Sequence, residues 1–259
     1  MIVKRIYYYL NKTDLLSWLA KLHKMKRYLI FYLAVIVIFM QGCGFNSING
    51  KGAVTKQDRN VNDFQEIELE CSADIFVSQG PSYSCTVETN ENLHGYLLID
   101  KDGKNLRIHS DKNLRADKMN IYITMPIVEK LVISGSGSIN GKNSFLSDKL
   151  NLNISGSGNI NMDKIKVEKL MAEIEGSGNI KLLTGEVQHA KYIISGSGKI
   201  EADKISAKEV EAEIEGSGNI YCYAGDELRA KISGSGSVKY KGAPKTKFTV
   251  EGSGNVSSY

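Results

Sequence analysis

Through the second half of the chain, β-branched residues recur in two columns that flank a repeated Gly-Ser-Gly. The triplet begins at Gly135, Gly156, Gly176, Gly196, Gly216, Gly234 and Gly252, at intervals of 21, 20, 20, 20, 18 and 18. Two residues before each first glycine stand Ile133, Ile154, Ile174, Ile194, Ile214, Ile232 and Val250. Four residues after it stand Ile139, Ile160, Ile180, Ile200, Ile220, Val238 and Val256. Two positions before the first column come Leu131, Leu152, Ala172, Tyr192, Ala212, Ala230 and Phe248, so the approach alternates with period two, the period of a strand and not of a helix. Seven copies at a period near 20 predict a stacked structural repeat.

The triplet itself predicts a tight bend between two strands. Glycine supplies backbone angles closed to other residues, and the serine hydroxyl can satisfy backbone groups or its stacked neighbours. Ser136, Ser157, Ser177, Ser197, Ser217, Ser235 and Ser253 are thereby expected to form a structural ladder along one edge, with no histidine recurring beside it to suggest catalysis. A parallel stack of coils and an antiparallel meander with a triplet at every hairpin tip both fit the period. Recurrence of like on like favours the stack, because there each residue lies on its counterpart one coil away. The expectation is an all-β fold, a right-handed single-stranded β-solenoid of about seven coils and roughly 34 Å long at ~4.8 Å per coil.

A finer rhythm doubles the period. Asp163-Lys164-Ile165 and Asp203-Lys204-Ile205 lead to coils reading IEGSG, whereas Gly185-Glu186 and Gly225-Asp226 lead to ISGSG. Glu175, Glu215 and Glu251 therefore alternate with Ser155, Ser195 and Ser233 before the corner, which keeps carboxylates from stacking at ~5 Å. A row of cation ligands is the alternative reading, but no GGxGxD calcium repeat is present and no metal is expected.

Upstream, short alternating stretches predict strands at 66–69, 74–78, 85–88, 106–108 and 120–124, without a fixed period. Residues 61–131 read as an irregular β cap on the GSG repeats of 132–259, the two making one domain, and polar residues 44–60 read as a tether. With 42% hydrophobic and 24% charged residues the chain is neither a disordered polymer nor a disulfide-dense mini-protein. The net charge of +4 misleads, because residues 1–42 hold seven Lys/Arg against Asp14 alone and the remainder is slightly acidic. Nucleic acid is therefore not an expected partner.

That basic leader carries an address. Lys26 and Arg27 precede thirteen uncharged residues, Tyr28 to Met40, and then Gln41, Gly42 and Cys43. Residues 25–43 resemble a bacterial lipoprotein signal with Cys43 as the lipidation site, although Met40 and Gln41 depart from the usual Leu and small residue. The membrane is thus an expected partner, through that lipid or through the apolar segment itself. Residues 1–24 read as an upstream extension, Met25 being an alternative start, and Trp18, the only tryptophan, lies there. Cys71 and Cys85 admit either a disulfide or two free thiols. Cys222 stands alone, His94, His109 and His189 are scattered, and no CxxC, GxSxG or P-loop suggests a metal, a nucleophile or a cofactor.

The repeats ISGSGSI, ISGSGNI and IEGSGNI, with the opening Asp63-Phe64-Gln65-Glu66-Ile67, resemble the head GIN domain of the putative autotransporter-type adhesins of Gram-negative envelopes, over about residues 55–259. The resemblance implies a solenoid-like all-β domain at the cell envelope and brings no catalytic residues. Three functions are compatible with it. A non-enzymatic lipoprotein could present a rigid surface to a glycan or surface protein, with corner residues Asn159, Asn179, Asn219 and Asn255 as sugar ligands or simply as turn residues. An envelope scaffold or signalling accessory could self-associate through the open edge of the last coil, giving a homo-oligomer. A polysaccharide-active β-helix enzyme is the third, disfavoured because the coils are minimal and grow no loops to wall a cleft.

Overall fold

The alternation of apolar and polar residues becomes a stack of strands in a computed structural model, which describes residues 47–259. The extension 1–24, the signal segment 25–43 with Cys43, and residues 44–46 lie outside the described residues. In chain order the strands are β1 (Ser47–Asn49), β2 (Val54–Asp58), β3 (Glu66–Leu69), β4 (Asp74–Gln79), β5 (Ser84–Asn90), β6 (Leu98–Asp102), β7 (Asn105–His109), β8 (Asn113–Arg115), β9 (Met119–Met125) and β10 (Lys130–Gly135). The repeats supply β11 (Ser138–Gly156), β12 (Asn159–Gly176), β13 (Asn179–Leu182), β14 (Gly185–Gly196), β15 (Lys199–Gly216), β16 (Asn219–Gly234), β17 (Ser237–Lys241), β18 (Lys245–Gly252) and β19 (Asn255–Ser258). A single 3-10 turn, Glu91–Leu93, interrupts them, and among the described residues no helix is long and apolar enough to cross a membrane.

Every pairing between repeats is parallel and in the expected register. Ile133, Ile154, Ile174, Ile194, Ile214, Ile232 and Val250 stack as one column, and Ile139, Ile160, Ile180, Ile200, Ile220, Val238 and Val256 as another. The fold is an all-β solenoid of about six turns where seven coils are expected, because seven corners bound six intervals. In β12 the buried residues are Ile160 and Met162, then Ile165 and Val167, then Leu170, Ala172 and Ile174. Successive outward pairs, Asp163-Lys164 and Glu168-Lys169, turn the chain between these groups, and the GSG corner makes the third bend. Each such coil therefore shows three faces around a dry core, since a doubled outward position shifts the alternation by one.

The corner explains its own sequence. All seven first glycines have φ between 113° and 151°. A Cβ on Gly176 would lie 2.5 Å from the carbonyl oxygen of Gly156 one coil away, and a Cβ on Gly178 would lie 2.6 Å from Cγ2 of Ile154. In the first six corners only the middle position is exposed, and it admits a side chain without strain.

The N-terminal part is more regular than its sequence suggests. Ile67 and Leu69 of β3 stack on Leu131 and Ile133, and Ile75 of β4 stacks on Ile139. Leu106 and Ile108 of β7 lie in turn on Ile67 and Leu69, and Ile121 of β9 on Ile75. The columns thus run on through two levels without Gly-Ser-Gly. Antiparallel strands then close the stack, β6 on β7, β5 on β9 and β2 on β5. Much of the expected tether is therefore structured: β2 is an edge strand whose Thr55 alone is partly buried, so its polar sequence carries little alternation.

Candidate functional site

The serine ladder is a ladder of backbone. The amide of Ser177 donates to the Gly156 carbonyl at 2.9 Å and that of Ser197 to Gly176 at 2.8 Å, a pattern kept from Ser157 to Ser253. All seven serine side chains are exposed, and no hydrogen bond ties their hydroxyls to another of the described residues. The hydroxyls are not the structural tie expected of them, because the peptide groups already provide it.

The four asparagines share one column just past the corner, in the order Asp74, Ser138, Asn159, Asn179, Lys199, Asn219, Ser237, Asn255. Asn179 Nδ2 donates to Asn159 Oδ1 at 3.0 Å, and Ser237 Oγ donates to Asn219 Oδ1 at 2.6 Å. Lys199 breaks the row, so Asn159 and Asn179 form one group while Asn219 and Asn255 flank Ser237 in another. The amides of Asn159, Asn179 and Asn219 spend part of their hydrogen-bonding capacity along the column and keep the rest for solvent or ligand, and that of Asn255 is exposed.

Beside the second group lies a feature absent from the sequence reading. Tyr221 and Tyr259 meet edge to face, their ring centroids 6.2 Å apart at 88°. Lys199 Nζ stands 5.2 Å and Lys239 Nζ 5.8 Å from the Tyr221 centroid, and Lys241 Nζ 4.9 Å from that of Tyr259. Lys241 also pairs with Asp203 at 2.7 Å. Burial pushes the Tyr259 hydroxyl up to about 12, aided by its hydrogen bond to Asp203. Burial acts upward on Asp203 too, but hydrogen bonds from Lys241 and Tyr259 outweigh it and hold that carboxyl below the usual range. Strand alternation places Tyr221 and Tyr223 outward on either side of buried Cys222. The signal was available in the outward residues Tyr221 and Tyr223 of YCY and Lys239 and Lys241 of KYK, since the column of Tyr221 carries Asn140, Asn161, Lys181 and Glu201 in the earlier coils.

A groove of about 310 Å³ runs between the outward columns containing Lys169, His189 and Glu209 and those containing Met171, Lys191 and Glu211. Its charges answer one another: His189 Nδ1 lies 3.0 Å from Glu209, and Lys191 Nζ lies 3.2 Å from Glu211 and 3.1 Å from Glu213. Hydrogen bonding to Glu213 raises the Lys191 ammonium. These pairings, with that of Arg229 and Glu227 at 2.8 Å, commit most of the groove's charged groups, Lys169 being the one lining residue of charge left without an ion-pair partner among the described residues. Among the described residues no cluster of three His, Cys, Asp or Glu is placed to hold a metal.

Of the two alternatives for Cys71 and Cys85, the structure takes the unbridged one. Cys85 faces Ile123 of β9, which faces Val77 of β4, while Cys71 sits at the corner before β4. The strand of Cys85 is thus two spacings of ~4.8 Å from β4, into which Cys71 leads, a separation wider than the ~7 Å between Cα atoms that a disulfide tolerates. Burial pushes the Cys71 thiol up to about 12, Cys85 to about 11 and Cys222 to about 12.

Solved structures of this shape include several from Bacteroides and Parabacteroides. A crystal structure described as a putative adhesin from Bacteroides fragilis aligns with a TM-score of 0.78 at 28% identity, over 82% of this chain and 100% of that one. A putative adhesin from Parabacteroides merdae aligns at 0.70 and 26%, over 83% and 100%. A protein from Parabacteroides distasonis described as a putative lipid binding protein aligns at 0.69 and 26%, over 82% and 99%. No curated protein matches the chain. The family described as "Putative auto-transporter adhesin, head GIN domain" matches residues 63–244, across the stacked columns and all but the last corner, and the chain belongs to that family.

Proposed function

We propose that this protein is a non-enzymatic, adhesin-like component of the cell envelope that holds glycan on the patch formed by Tyr221 and Tyr259 with Asn219 and Asn255. One observation carries the reading: two tyrosines at right angles, ringed by Lys199, Lys239 and Lys241, beside amides with hydrogen-bonding capacity to spare. An aromatic face takes the apolar C–H side of a sugar, and amide and ammonium groups take its hydroxyls or carboxylates. Family membership and the adhesin descriptions of the neighbours support an envelope location, and lipidation at Cys43 would supply the anchor.

Weak single-site affinity is overcome by displaying many copies, so the test is an array of glycans probed with the multimerised domain, residues 44–259. A specific hit that disappears in Tyr221→Ala and weakens in Asn219→Ala supports the proposal. A blank array, or a hit indifferent to Tyr221, overturns it in favour of a scaffold.

A further inference from the structure

β18 is the last strand of its face among the described residues. β18 pairs on one side with β16, and no strand among the described residues covers its other side. All eight of its residues are exposed. Phe248 and Val250 continue inward columns whose previous members, Ala230 and Ile232, are buried, yet they remain 40% and 41% exposed. An edge strand in this state offers a row of free peptide N–H and C=O groups together with an unfinished apolar core.

The sequence of β18 fits itself. Read antiparallel about Phe248, Lys-Thr-Lys-Phe-Thr-Val-Glu sets Lys245 opposite Glu251, Thr246 opposite Val250 and Lys247 opposite Thr249. Glu251 is the only acidic residue between 237 and 259, and this register places it against a lysine. Residues directly opposite in an antiparallel pair project from the same side of the sheet, so Thr246, Phe248 and Val250 of two copies would share one interior. We propose that β18 is the interface of a twofold dimer of this chain, the two strands pairing antiparallel with Phe248 against Phe248 at the axis.

The chemistry of the edge argues against a lipid surface as its occupant, because bare peptide groups are costly in hydrocarbon whereas a strand satisfies them all. A twofold contact also closes on itself, so the open end yields a dimer and not a fibre. The inference is independent of the glycan reading, since it uses none of the residues of the tyrosine patch.

Sedimentation equilibrium of residues 44–259 tests it; the solved neighbours, aligned over 99–100% of their own length, fold as domains matching this span. The expected result is a reversible dimer. Glu251→Lys faces Lys245 twice across the axis and should weaken the dimer roughly tenfold, while K245E/E251K re-forms both pairs and should return it to within about threefold of the parent. Circular dichroism confirms that each variant is folded. As a second measurement, Phe248→Cys should cross-link on mild oxidation into a covalent dimer. A parent that stays monomeric at high concentration, a charge swap that rescues nothing, or a folded F248C that does not cross-link would overturn the proposal.

Discussion

Ala212 stands one coil above Tyr192 in the same inward column, with Ala172 one coil below, so the volume of the tyrosine is matched by the smallness of both its neighbours. Tyr192 is fully buried and its hydroxyl finds no partner. Removing a buried, unpartnered hydroxyl relieves a desolvation cost, so Tyr192→Phe should leave stability unchanged or raise it by about 1 kcal/mol. Ala212→Leu forces volume into a filled level and should cost about 1–3 kcal/mol. Chemical denaturation of both variants measures the contrast, and a large loss in Y192F would show that the hydroxyl has a partner after all.

At the corner the three positions should differ sharply. Gly176→Ala adds a Cβ 2.5 Å from a backbone oxygen at φ 123° and should cost roughly 3 kcal/mol. Ser177→Ala removes an exposed hydroxyl without a protein partner and should change stability by less than about 0.5 kcal/mol. Thermal unfolding distinguishes them, and a costly S177A would restore the hydroxyl ladder.

Register places Ser195 between Glu175 and Glu215. Ser195→Glu would stack three carboxylates at ~5 Å, and a loss of about 1 kcal/mol at low ionic strength should shrink in 0.5 M salt. A loss that ignores salt would point to sterics instead of charge.

His94 ties down the cap. Its Nε2 lies 3.0 Å from Thr55 Oγ1, and its carbonyl accepts from Arg59 at 2.9 Å. Burial, seconded by the charge of Arg59, lowers the imidazole below its ordinary 6.5. The unfolded chain therefore takes up this proton first as pH falls. Stability contributed by the neutral ring is complete above about pH 6.5 and declines below it, toward the lower folded value. His94→Gln should flatten that part of the pH profile of Tm, and an unchanged slope would assign it to other groups.

Cys71, Cys85 and Cys222 are expected to resist thiol reagents at pH 7, because burial leaves almost no thiolate in the folded domain. All three should react once denaturant unfolds it. Fewer than three thiols under denaturing, non-reducing conditions would reveal a bridge.

The repeats were legible because parallel stacking sets each residue on its own counterpart, so one geometric constraint writes the same letters every twenty positions. The two N-terminal levels obey the same columns but hide them. Their stacking order is not their chain order, since β3 and β4 lie between β7/β9 and β10/β11, and no period survives such a crossover. The tyrosine patch was hidden for a different reason. Outward positions are unconstrained by the stack, and Tyr221, Lys239 and Tyr259 become neighbours only through the register of successive coils.

Ile165 and Ile205 occupy the same place on the section of the rod, two levels apart, with Gly185 between them. The segments Asp163-Lys164-Ile165 and Asp203-Lys204-Ile205 are identical. Unequal recombination between the stretches encoding them would insert or delete forty residues and lengthen or shorten the rod by ~9.6 Å, with the closing strands at one end and the tyrosines at the other untouched. The length of the rod is then a heritable quantity that changes in whole steps, without any new contact having to be invented.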